Sequence, residues 1–144
     1  MTTISQSPKD RPAGLALKIG LWVAQILIFA AFVASGGMKM LLPIDQLASM
    51  IVWPGQYPPE FVRFTGAIDA MGGIGVLLPA LTRIRPRLTV FAALGCTVLQ
   101  ILAIVFHVSR GEAMATPLNF VLLTLSIFIL WGRARRVPIT ARAN

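Results

Sequence analysis

The chain has 144 residues, of which 56% are hydrophobic and only 12% charged, with a net charge of +8 and a mean hydropathy of +0.78. A water-soluble domain of this size carries about twice that charged fraction, so the composition excludes a soluble globule and indicates an integral membrane protein. The positive charge does not indicate nucleic acid, because the basic residues sit between apolar segments, where they act as topology signals.

Residues 1–14 are polar, contain Lys9 and Arg11, and suit a disordered tail. The apolar run Leu15 to Met38 follows it. That run is about twice the length of a signal-peptide core, and the chain beyond it is just as apolar, so it is expected to be an uncleaved first span. Three further spans are expected at Phe61–Leu81, Leu88–Val108 and Pro117–Trp131. Each approaches the ~20 residues that cross a ~30 Å hydrocarbon core, the fourth being the shortest. The expected domains are therefore a tail at 1–14, a four-span membrane domain at 15–133, and a basic tail at 134–144.

Orientation follows from the basic residues. Lys9, Arg11 and Lys18 precede or open the first span; Arg83, Arg85 and Arg87 fill the turn between spans two and three; Arg133, Arg135, Arg136 and Arg142 follow span four. The opposite loops hold Lys39, Arg63 and Arg110, offset by Asp45, Glu60 and Glu112. The positive-inside rule then puts both termini in the cytoplasm, in the inner membrane of the cell.

Between spans one and two, Ile44, Leu47, Ala48 and Ile51 recur at helical spacing before Trp53-Pro54-Gly55 breaks the chain. The pattern suits a short helix at the outer interface, with Trp53 and Tyr57 as amphipathic anchors. An ordered loop capping the bundle fits it equally.

Span two contains the one carboxylate of the apolar segments, Asp69. A charge in hydrocarbon costs several kcal/mol, roughly 2.5 or more on any scale, and normally faces a partner or a functional cavity. Gly66, Gly72 and Gly73 lie three before, three after and four after Asp69. Small residues mark faces where another helix comes close, so Asp69 belongs on a packed face.

The other spans carry polar stripes. Gln25, Phe32 and Lys39 are seven apart, with Ser35 beside them; Gln100 and His107 are seven apart, as are Asn119 and Ser126. Seven residues make nearly two turns, so each set shares a face. Side chains lean toward their helix N-terminus, so in antiparallel spans Lys39 leans into the bilayer and Asp69 toward the surface. Asp69 lies roughly 8–12 Å below the start of its helix, within reach of a lysine stem. Paired with Lys39 it would stay ionised and fasten spans one and two; unpaired it would be carried neutral. The alternatives are that Lys39 snorkels to head groups, or that Arg63 or His107 supplies the counter-charge.

Other chemistry is sparse. Cys96 is the one cysteine, which excludes an internal disulfide and a CxxC pair. His107 is the one histidine, which excludes bis-histidine haem, and with Asp69 it is too few ligands for a metal cage. Ser35 and Ser126 lack a base–nucleophile pattern, and Gly72-Gly73-x-Gly75 lies in a span, where packing explains it better than phosphate binding.

Several segments taken together resemble the DoxX-like family of small membrane proteins. They are Phe32-Val-Ala-Ser-Gly-Gly-Met-Lys-Met-Leu-Leu-Pro43, Glu60-Phe-Val-Arg-Phe-Thr-Gly66, Gly72-Gly-Ile-Gly-Val-Leu-Leu-Pro79, Thr82-Arg-Ile-Arg-Pro86, Ile104-Val-Phe-His107, and Asn119-Phe-Val-Leu-Leu leading to Trp131-Gly-Arg. The resemblance implies an all-α, four-helix membrane bundle. Members often carry glutamate where this chain has Asp69, so a pairing carried over from the family is expected to be looser here. The family takes its name from a membrane subunit associated with a thiosulfate:quinone oxidoreductase, and some relatives partner other membrane or redox proteins.

Three functions follow as expectations. The first is a scaffold or accessory subunit of a membrane complex, without catalysis of its own and free to form homo-oligomers. The second is a quinone-linked subunit whose electron carrier lies on another chain, with Lys39 or His107 as donors to the ring carbonyls. The third is a small proton-coupled exporter. It fits less well, because small multidrug transporters carry their acid in the first span and have balanced charge bias. The polar cluster expected to matter is Lys39, Asp69, Gln100, His107 and Asn119, with Gln25, Ser35 and Arg63 behind it and Gly66, Gly72 and Gly73 as packing positions.

Overall fold

A computed structural model describes residues 12–143. Lys9, Arg11 and most of the expected tail at 1–14 lie outside the described residues. Five α-helices and no strands occur among those described: α1 Pro12–Leu41, α2 Ile44–Met50, α3 Pro59–Thr82, α4 Arg87–Ser109 and α5 Pro117–Trp131. Four of them are long and apolar enough to cross a membrane. The fourth reaches that length because α5 runs on through a wider π turn, Gly132–Arg136, giving 20 residues in place of 15.

Proline sets several of the boundaries. α3 and α5 begin with Pro59 and Pro117, whose missing N–H would have had no helical acceptor anyway. α3 ends where Arg83 turns left-handed at φ 57° and returns its N–H to the Pro79 carbonyl. The turn after α4 needs Gly111 at φ 75°, a conformation that glycine adopts without steric cost.

The long helices form an antiparallel ring in the order α1, α3, α4, α5, with α1 packed most extensively on α3. The core is Ala24, Ile28, Phe32, Val76, Ala93, Cys96 and Ile129. Outward-facing positions are just as apolar, as with Leu15, Ile19, Val23 and Ile26 on α1, all at least half exposed. Helices that are apolar all round are what a bilayer selects.

The α2 segment folds back onto the bundle end near Lys39. Leu47, Trp53 and Val62 form a second core there, joined by Tyr57 and Phe106. Trp53 is only 8% exposed and meets Tyr57, Phe61 and Phe106 edge-on at 5.9–6.4 Å. Trp53 thus packs into a lid over this end of the bundle.

Candidate functional site

The approach of α1 to α3 places the central pair. At Gly36 an added Cβ would stand 2.5 Å from the Gly66 carbonyl oxygen and 2.7 Å from the Ala70 nitrogen. Gly73 meets Phe32 and the Phe29 carbonyl one stretch further along. Gly66 and Gly73 therefore line the α1 contact. Gly72 turns instead between Phe32 and the Cys96 sulfur of α4.

On that crossing Lys39 Nζ donates to Asp69 Oδ2 at 2.7 Å, and Ser35 Oγ donates to the same oxygen at 2.9 Å. The Lys39 and Asp69 side chains keep 16% and 15% exposure. Trp53 covers Lys39, whose ammonium lies 5.6 Å from the ring centroid, within cation–π range. Arg63 does not reach Asp69. Its Nη1 donates to the Lys39 carbonyl, satisfying one of the free acceptors at the end of α1.

The remaining expected residues form separate pairs. Asn119 Nδ2 donates to Gln100 Oε1 at 2.8 Å, joining α5 to α4. His107 turns from Asp69 to the loop, with Nδ1 2.9 Å from Glu112 Oε2. Arg110 Nη2 approaches the other Glu112 oxygen at 3.0 Å, bonds Gln56 of the lid, and lies over Tyr57 and Phe106. The Arg110 hydrogen bond, then that of His107, holds the Glu112 carboxyl below the usual carboxylate range, and the same bond raises the Arg110 guanidinium. No hydrogen bond among the described residues links Gln100, His107 or Asn119 to Lys39 and Asp69.

Gln25 belongs to a different site, at the opposite end of the bundle. Its Oε1 accepts from Arg133 Nε at 2.8 Å and Nη2 at 2.6 Å, and its Nε2 donates to the Val76 carbonyl at 2.7 Å. That carbonyl lies next to the Gly75 carbonyl, which Pro79 leaves without its helical donor. Arg133 is 5% exposed and stacks over Trp22 at 4.9 Å. Arg133, expected among the flanking topology signals, is instead turned into the protein, because the π turn and the close seat of Leu21 on Gly132 rotate it inward. A signal existed: Asn119, Ser126 and Arg133 continue one seven-residue stripe.

Two hydroxyls, Thr89 Oγ1 and Ser126 Oγ, are buried without a hydrogen-bond partner. No group of three or more His, Cys, Asp or Glu side chains able to hold a metal occurs among the described residues.

A family model for the DoxX-like family matches residues 23–129. The chain belongs to the DoxX-like family. The matched region contains Lys39, Asp69, Gln100, His107 and Asn119 and stops short of Arg133, so the buried arginine of this DoxX-like protein lies beyond it. No curated protein and no solved structure matches the chain. The family and the four long apolar helices together identify a multi-pass helical membrane protein.

Proposed function

We propose that this DoxX-like protein is a scaffold or accessory subunit of a membrane complex, with Lys39 and Asp69 as an internal brace. One observation carries the reading: Asp69 Oδ2 takes hydrogen bonds from both Lys39 and Ser35, so the intramembrane charge is spent on tying α3 to α1. Gln100 and Asn119 brace α4 to α5 in the same manner, and the Arg110–Glu112–His107 group ties the loop to the lid. In this reading residues 15–133 are the membrane domain, both termini face the cytoplasm, and α2 lies at the outer surface of the inner membrane. The arginine-rich ends support that orientation.

A quinone-linked subunit is the second reading. The observation favouring it is that the Lys39–Asp69 pair is not sealed and has an aromatic wall, Trp53, against one side. Lysine also keeps further N–H donors for a ring carbonyl.

Purified protein in nanodiscs, titrated with ubiquinone and menaquinone analogues, separates the two. The accessory reading expects no saturable affinity, no proton-driven flux in proteoliposomes, and parallel loss of folded protein in Asp69→Asn and Lys39→Met. Normal folding with abolished quinone binding in either variant would transfer the pair from brace to ligand site. Reporter fusions at the two termini test the orientation.

A further inference from the structure

The bundle end opposite Lys39 is built from the turn between α3 and α4 and from the chain after α5, which folds back over it. The Arg142 N–H donates to the Arg83 carbonyl at 3.0 Å, stitching this returning segment to the turn. Two hollows adjoin there. One, of about 350 Å³, is lined by Arg83, Arg85 and Arg142 with Ile84 and Ala141. The other, of about 490 Å³, is lined by Pro86, Leu88, Ile139 and Ala141 with Arg85 and Arg87. Arg85 and Ala141 border both.

Charge balance at this end is one-sided. The acids among the described residues are Asp45, Glu60, Asp69 and Glu112, and all four belong to the Lys39 half of the bundle. Among the described residues, no carboxylate lies at this end to neutralise Arg83, Arg85, Arg87 and Arg142. The turn also holds Arg83 at φ 57° and Arg85 at φ 47°, left-handed conformations that side-chain-bearing residues adopt at a cost. Strain of this kind persists where surrounding structure enforces it, and it gathers at ligand clamps. Here it turns two guanidinium-bearing residues out of one four-residue turn.

We propose that these joined hollows bind an anionic phospholipid. The phosphoryl group sits among Arg83, Arg85 and Arg142, whose planar guanidiniums match a phosphate with paired hydrogen bonds. The glycerol and first acyl carbons lie against Leu88 and Ile139. The basic hollow alone would suit any phosphate. The apolar hollow sharing its wall, at the end of four membrane-length helices, points to an amphiphile.

The test is native mass spectrometry of the full chain in neutral detergent, titrated with phosphatidylglycerol or phosphatidylcholine. Wild type is expected to retain phosphatidylglycerol selectively. The Arg83→Gln/Arg142→Gln variant is expected to bind it about thirtyfold more weakly, the worth of two arginines at an anionic head group. Arg135→Gln/Arg136→Gln removes two charges outside the hollows and should change binding by less than about threefold. Ala141→Trp fills the shared wall, keeps every charge, and should weaken binding as well. Equal loss in the two double variants, unchanged binding in Ala141→Trp, or equal retention of both lipids would overturn the proposal. Inorganic phosphate that binds alone and displaces the lipid would also overturn it, in favour of a soluble ligand.

Discussion

Gly36 and Gly66 bring α1 and α3 to backbone contact: a Cβ on Gly66 would stand 3.0 Å from the Gly36 carbonyl oxygen and 2.7 Å from the Lys39 Cβ. Around the two glycines the nearest atoms are main-chain atoms and the Cβ atoms of Lys39 and Ala70, which cannot swing aside, and Met40 Cγ. Gly36→Ala and Gly66→Ala are therefore expected to destabilise the protein by about 1–3 kcal/mol, the usual cost of overpacking. Gly37→Ala is the control, because nothing lies within 4 Å of its added carbon. Thermal unfolding in detergent should separate the first two variants from the third. Equal melting of all three would mean the helices can move apart freely.

The same crossing sets the value of the Lys39–Asp69 pair. Breaking a fully buried pair costs about 3–5 kcal/mol, and partial exposure of both side chains lowers this to roughly 1–3 kcal/mol. Asp69→Asn and Lys39→Met should each lower the melting temperature, and the double variant should lose less than the sum, since it leaves no uncompensated charge. Asp69→Glu should fold, because glutamate adds one methylene to a pair already exposed at its edge. Strictly additive losses in the double variant would show that the two residues act independently.

Much of this architecture was legible in the sequence because a bilayer makes length and apolarity decisive. The expected spans Leu15–Met38, Phe61–Leu81, Leu88–Val108 and Pro117–Trp131 fall within three residues of α1, α3, α4 and α5 at every end. The contact between Lys39 and Asp69 was one of several pairings the sequence left open, within reach because it needs only two antiparallel helices and the lean of their side chains. The pairing of His107 was not legible, because its partner Glu112 lies past the end of α4, where the chain reverses and helical spacing says nothing. For Trp53 the sequence left an interfacial anchor and a cap over the bundle equally open, because amphipathic character does not distinguish a lipid interface from an aromatic lid. Arg133 was hidden by its neighbours: among Arg135 and Arg136 it counts as one more flanking charge, although it continues the stripe of Asn119 and Ser126, and the π turn sets it apart.

Gln25 is the acceptor that makes the burial of Arg133 tolerable. Gln25→Leu would remove the oxygen that takes both the Nε and Nη2 bonds, leaving a 5% exposed guanidinium short of acceptors. The expected cost is about 2–4 kcal/mol, typical of a buried charged donor losing its partner. Gln25→Glu keeps an acceptor for Arg133 and supplies an opposite charge, but it loses the Nε2 donation to the Val76 carbonyl, so it should melt above Gln25→Leu and below wild type. The comparison of the two variants by thermal unfolding is the measurement. A Gln25→Leu protein as stable as wild type would show that Arg133 leaves the bundle when its partner is gone.

The loop tie at the other end should respond to acid. Glu112 is held below its ordinary value, first by the Arg110 hydrogen bond and then by that of His107. A carboxyl depressed in the folded state contributes stability that is fully present above its unfolded pKa and is lost as pH falls through the folded one. The tie therefore persists at neutral pH and loosens only below the normal carboxylate range. Wild type should melt above Glu112→Gln at pH 7, by a small margin because the group faces solvent. That margin should shrink steadily on acidification below about pH 4. Tyr57 and Phe106 lie under Arg110, so release should also show in the aromatic fluorescence of the lid. A margin that stays constant down to about pH 3 would mean that Glu112 acts through packing and not through its charge.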